Sequence, residues 1–199
     1  MENDHVTADG RKQAIIDAAY SLFGTVGFAN TSMKDIAKKA GVAQGLIIYY
    51  FQSKDGLLVT IVREWMIGRG IPDALKYLEG ITDSDELLLK AFEHVVKFRR
   101  DNPQWFTLLI SLWLESRRSA DLSTQLKNVY SEMRSGAARV VSRAFPDWNS
   151  EQIDAFSCVF QAMLDGLTLQ TDFEDTELTH FVNNGLSGVK WLTAGRANS

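Results

Sequence analysis

The spacing of apolar residues constrains this chain more than any other feature. Through most of its 199 residues, apolar side chains recur at three- and four-residue intervals, and no alternating strand pattern persists. Only three prolines occur, Pro72, Pro103 and Pro146, each where a helix should start or stop. The expectation is an all-α protein. Helices are predicted over 10–26, from Thr31 or Ser32 to 40, over 43–51, and from Ser53 to 69. Others are predicted near 72–79, 84–101, 103–118, 121–145, 150–172 and 176–194. Gly27 and Gly41 are positioned as stops, and Ser53 as a cap. On the first helix Ile15, Ala19, Leu22, Phe23 and Val26 share one face, and on the second Ile36, Ala37 and Ala40 point inward.

Charge divides the chain unevenly. Residues 10–54 carry six cations, Arg11, Lys12, Lys34, Lys38, Lys39 and Lys54, against Asp17 and Asp35, a net +4. The whole chain is at −4, and Glu2, Asp4 and Asp9 precede the basic stretch, which leaves −5 on residues 55–199. A basic module on an acidic body calls for an anionic partner at the module. Cys158 is the single cysteine, so an intramolecular disulfide is excluded, and its apolar neighbours predict a buried, inert thiol. The polar, acidic start is unlike a signal peptide, and the run "FTLLISLWL" is far shorter than the ~20 residues of a membrane span. A cytoplasmic protein is expected.

The stretch "GVAQGLIIYYFQSK", residues 41–54, then becomes informative. On a helical wheel Ile47 and Phe51 share an inner face with Val42, while Gln44 with Ile48, Gly45 with Tyr49, and Leu46 with Tyr50 stack on outer ones. Glutamine pairs bidentately with adenine, aliphatic groups meet thymine methyls, and tyrosine hydroxyls reach phosphates. Ala37, Gly41 and Ile47 supply the small residue, turn glycine and buried aliphatic that a helix-turn-helix requires.

The run "AIIDAAYSLFGTVGFANTSMKDIAKKAGVAQGLIIYYFQSKDGLL" within residues 11–58 resembles the DNA-binding domain of the TetR/AcrR family of bacterial transcription regulators. The resemblance implies three segments: an N-terminal tail (1–9), a helix-turn-helix DNA-binding domain (10–53), and an effector-binding and dimerisation domain (54–199). It implies that Thr31 and Ser32 bind phosphate while capping the second helix. Gln44, Gly45, Leu46 and Tyr49 would lie at the groove, Tyr50 would touch backbone or base edge, and Lys54 would clamp a phosphate. Ala43 stands where the family commonly has serine or threonine, and Ile48 where it usually has tyrosine, which ranks Ile48 below its neighbours.

"NPQWFTLLISLWLESRR" and "AMLDGLTLQ" are similar to regulators of the choline-response type. Trp105, Phe106, Leu109, Trp113, Tyr130, Phe156, Phe160 and Met163 are the candidate lining of an effector cavity, and also a plain core stripe. Glu115, His94 and Gln161 are polar groups within that stripe. The helices near 150–172 and 176–194 are expected to form a homodimer interface. The first is apolar around much of its girth, and Gly166, Gly185 and Gly188 permit close approach.

The reading is a homodimeric repressor released from a palindromic operator by a small-molecule effector of unknown identity. An activator with the same DNA contacts is open. An all-helical enzyme or ligand carrier would need a convergent nucleophile, acid/base pair or metal cluster, and His5, His94, His180 and Cys158 are scattered. No catalytic residue, metal or cofactor is expected.

Overall fold

Helix α1 spans Ala8–Thr25 in the computed structural model, which describes residues 7–170 and Ser187. Thr7 caps it by accepting the Gly10 N–H at 3.2 Å, and the chain leaves it through Gly27 at φ 92°, a conformation glycine adopts without a Cβ clash. α2, Met33–Ala40, opens with a reciprocal cap. The Asp35 N–H donates to the Ser32 hydroxyl oxygen, and the Ser32 N–H donates back to the Asp35 carboxylate. Gly41, at φ 67°, ends α2 and turns the chain into α3, Gln44–Phe51.

α4, Lys54–Arg63, is capped by Ser53. The helix predicted to run unbroken to residue 69 instead widens into a π-helical segment, Glu64–Gly70. Gly68 and Gly70 lie in that segment and favour the helical backbone least, and wheel periodicity does not register the change of hydrogen-bond spacing. α5 (Ile71–Tyr77), α6 (Ser84–Asp101), α7 (Pro103–Ser116), α8 (Ala120–Ala144) and α9 (Ser150–Gln170) follow. Pro103 occupies the first turn of α7, where its missing N–H costs nothing. No strand occurs among the described residues. The helix expected near 176–194 lies outside them, apart from Ser187.

Packing divides the chain into two compact units. The first holds residues up to Gly68 together with Asn102–Val129. α1 is its hub, touching α2, α3, α4 and α7. Ile15, Phe23, Ile36, Ile47, Leu57, Leu58, Ile61 and Leu112 are wholly buried. α1 and α7 approach so closely that a Cβ on Gly24 would sit 2.7 Å from Gln104 Cβ. This unit therefore extends past the three N-terminal helices to take in α4 and α7. On α1, Val26 is 49% exposed and not part of the inner face, because it sits at the C-cap where the chain already turns away. Ile16 and Ala18 are buried in addition to the expected residues.

The second unit comprises Arg69–Asp101 and the chain from Tyr130 onward. Leu78, Leu87, Phe92, Val140, Phe160 and Leu164 belong to its core, with Phe92 and Phe160 edge to face at 4.8 Å. The Arg143 guanidinium donates to the Leu78 carbonyl at 2.7 Å and the Ser84 hydroxyl to the Ala144 carbonyl, which ties the ends of α5, α6 and α8. Cys158, expected to be buried, is an exposed free thiol. It shares the outward stripe of α9 with Ala155, Val159 and Ala162, whereas Ser157, Phe160 and Leu164 turn inward.

Candidate nucleic-acid interface

α3 contains no charged residue. Two inward anchors, Ile47 and Phe51, fix its rotation. Gln44, Gly45, Ile48 and Tyr49 are exposed, Ile48 by 49% and Tyr49 by 77%. Large side chains exposed to that degree give this short helix a distinct outward face. Ile48, ranked below its neighbours from the sequence, belongs fully to this face. Leu46 and Tyr50 are half-buried, and the Tyr50 hydroxyl donates to the Ala8 carbonyl at 3.3 Å, bracing α3 on the start of α1. The Tyr49 and Tyr50 rings meet edge to face at 5.3 Å. Around Gly45, nothing lies within 4 Å of where a Cβ would stand, so the fold itself does not require a glycine there. Ala43, at the N-cap, supplies no side-chain acceptor.

The groups expected at phosphate separate into two kinds. Ser32 is exposed at the start of α2, its hydroxyl engaged with Asp35. That hydrogen bond, first, and the Ser32 backbone N–H, second, hold the Asp35 carboxyl below its usual range. Thr31 is 2% exposed, and its hydroxyl donates to the Gly27 carbonyl at 2.8 Å inside the α1–α2 turn. Lys54 is half-buried, with its ammonium donating to the Phe28 and Thr31 carbonyls at 2.9 and 3.0 Å. The structure thus turns Thr31 and Lys54 into the module, and leaves Lys34 and Lys38 exposed on α2. Lys39 donates to the Ser21 hydroxyl at 2.7 Å.

The eight candidate effector residues fall in both units. Trp105, Phe106 and Leu109 are buried on α7 of the first, whose Trp113 is 49% exposed beneath Arg117. Tyr130, Phe156, Phe160 and Met163 lie in the second, with Phe160 buried and the others partly so. Glu115 pairs with Arg118 at the surface. Gln161, 8% exposed, donates to Asp165 at 3.0 Å, and the Tyr130 hydroxyl donates to the same carboxylate. Burial pushes Asp165 up to about 6 against the pull of those two hydrogen bonds, and burial beside Asp165 raises Tyr130 to about 12. Sequence reading passed over Asp165, because one acidic residue in "AMLDGLTLQ" looks like a solvent-facing helix position. Among the described residues His94 Nε2 is buried with no hydrogen-bond partner, and that burial lowers the imidazole's affinity for a proton. Among the described residues no group of His, Cys, Asp or Glu is arranged to hold a metal, and no helix is long and apolar enough to cross a membrane.

A helical module whose second and third helices meet at a left-handed glycine, with an uncharged, aromatic third helix facing outward, defines a helix-turn-helix DNA-binding regulator. Residues 15–61 match the family described as bacterial regulatory proteins, tetR family, and residues 84–181 match the BetI-type transcriptional repressor C-terminal family. The chain belongs to the TetR family and is a transcriptional regulator of TetR/BetI type, not an enzyme. It is 26% identical over 171 residues to the HTH-type transcriptional regulator BetI of Rhizobium meliloti, covering 85% of this chain and 81% of that one. Two solved structures share the fold. A putative transcriptional regulator from Pseudomonas aeruginosa PAO1 has a TM-score of 0.79 at 21% identity, covering 96% of this chain and 94% of that one. Another, from Saccharomonospora viridis in complex with choline, has a TM-score of 0.69 at 19% identity, covering 92% and 96%.

Proposed function

We propose that the chain is a homodimeric repressor that reads a roughly palindromic operator with α3 and is released by a small-molecule effector. The observation that carries this reading is the outward face of α3, where Gln44, Gly45, Ile48 and Tyr49 stand exposed on a module of net +4. In the major groove, Gln44 would pair with a base edge, Ile48 and Leu46 would meet thymine methyls, and Tyr49 would reach the backbone. Ser32, Tyr50 and the exposed Lys34 and Lys38 would face phosphates. Residues 10–53 would do the reading, with effector binding and dimerisation assigned to residues 54–199.

Selection of bound fragments from random DNA tests the reading directly. A repeated, two-fold symmetric sequence is expected, and recovery of no preferred sequence would end the proposal. Affinity for the recovered duplex should fall steeply with salt. Gln44→Ala should relax preference at one or two base pairs per half-site, losing about 1–3 kcal/mol of discrimination.

Two observations bear on the other partners. Among the described residues Asp165 is a carboxylate with two neutral donors and no cation among its interactions, which favours a cationic effector such as the choline held by the Saccharomonospora viridis protein. The exposed stripe Ala155, Cys158, Val159 and Ala162 on α9 is small and apolar, suited to a second copy of the same helix.

A further inference from the structure

α3 carries no charged side chain, and that restricts which bases it can read. Guanine is most often recognised by arginine or lysine through O6 and N7, and the cytosine amine by aspartate or glutamate. None of these four residue types stands between Gln44 and Phe51. The polar side chains of α3 are one amide and two phenols, and the Tyr50 hydroxyl already donates to the Ala8 carbonyl. The Tyr49 hydroxyl can both donate and accept, so it distinguishes poorly between base edges. The Gln44 amide remains. It sets a donor and an acceptor side by side, the complement of adenine N7 and N6.

Ile48 follows one turn after Gln44 on the same outward side, and both are exposed. A single exposed aliphatic is ordinary on a protein surface. Ile48 is distinguished by its place and its shape. At 49% exposure it adds little to the core, and a β-branched residue is a poorer helix former than alanine or leucine. Branching also leaves it one strongly preferred rotamer in a helix, so little side-chain freedom is lost when the surface docks. It has no polar atom, and the apolar group on the major-groove edge of the base pairs is the thymine methyl. One helical turn is about 6 Å for a four-residue step, less than two base-pair steps of about 3.4 Å. Gln44 and Ile48 therefore face the same short run of base pairs. The exposed Lys34 and Lys38 lie on α2, so charge for the backbone and chemistry for the bases belong to different helices.

We propose that the base pairs read by α3 are A·T pairs, and that Ile48 is a specificity-determining residue that recognises a thymine by its 5-methyl group, within two steps of the adenine held by Gln44. The proposal rests on the DNA-binding reading above and narrows it to a base composition and a chemical group. Cytosine in place of that thymine presents an amine and no methyl, and α3 has no carboxylate to accept from it.

The test starts from a duplex that the full chain selects from a random pool. Its thymines are replaced one at a time by uracil, which removes the methyl and keeps every hydrogen-bonding group. At one position per half-site, wild-type affinity should fall about fourfold, the scale of one buried methyl group. Ile48→Ala should bind the thymine and uracil duplexes equally at that position, and Ile48→Val should retain a preference for thymine. Selections repeated with Ile48→Ala and Gln44→Ala should relax preference at A·T pairs only.

Wild-type affinity indifferent to uracil at every position overturns the proposal. So does methyl sensitivity that survives intact in Ile48→Ala, and so does relaxation at a G·C pair in either variant. The uracil series on the wild type decides the matter even where a variant fails to fold. Failure of the wild type to select any duplex removes the DNA-binding reading itself, a result distinct from selecting a duplex whose α3-dependent pairs are G·C.

Discussion

Tyr20 of α1 and Trp65 of the π-helical segment stack with ring centroids 4.6 Å apart and planes 13° from parallel. The contact fastens the end of α4 to α1 within the first unit. A stacked aromatic pair contributes about 0.5–1.5 kcal/mol beyond the area it buries. A double-mutant cycle of Tyr20→Ala and Trp65→Ala, followed by urea unfolding, should return a coupling energy in that range. Additive losses would mean that each ring packs independently.

Gln52 is the one non-glycine residue among those described with a positive φ, at 63°, and Ser53 N–H donates to the Phe51 carbonyl at 2.7 Å across it. This is a γ-turn of the rare, strained hand. Strain of this kind costs about 1–3 kcal/mol, and a glycine gives back about 0.5–1 kcal/mol through its freer unfolded chain. Gln52→Gly should therefore raise stability by about 1 kcal/mol, seen as a higher urea midpoint, while Gln52→Val should lower it.

Gly45 separates the needs of the fold from those of the partner. No atom opposes a Cβ there, and glycine inside a helix costs about 0.5–1 kcal/mol relative to alanine. Gly45→Ala should stabilise the free protein by up to about that amount and weaken binding to the selected duplex. Unchanged DNA affinity would remove Gly45 from the close-approach surface.

Asp165 makes stability depend on pH in a direction opposite to that of an ordinary paired carboxylate. Its folded pKa, about 6, lies above the ordinary 3.8, so the folded state holds the proton more tightly. The stabilising contribution is complete below about pH 4 and is lost as pH rises through about 6. At pH 8 the ionised, buried carboxylate costs on the order of 3 kcal/mol. Asp165→Asn should raise the urea midpoint at pH 8 and change it little at pH 4.5. An equal effect at both values would show that the carboxylate does not titrate in this range.

Local rules made much of the fold legible. Ser32 with Asp35, Ser53 before α4, and Pro103 at the start of α7 each mark a helix end through chemistry contained in a few neighbouring residues. The outward face of α3 was equally legible, since Ile47 and Phe51 alone fix its rotation. Choices made by tertiary packing were not. Cys158 and Trp113 each sit in apolar runs, yet they occupy the outer edge of a helix whose other side already fills the core. Lys54 and Thr31 look like surface polar groups until a turn more than 20 residues away from Lys54 supplies their acceptors. The π-helical segment follows from backbone spacing that side-chain periodicity does not encode.

The make-up of α3 limits how this regulator can be controlled. Its eight residues offer no amine, thiol, imidazole or aliphatic hydroxyl. Enzymes that acetylate lysine or phosphorylate serine and threonine find no substrate on it, and only the two phenols could accept a covalent mark. It also carries no carboxylate, imidazole or amine through which a change of acidity could act on it. A signal has to change where α3 is held, not what α3 is made of.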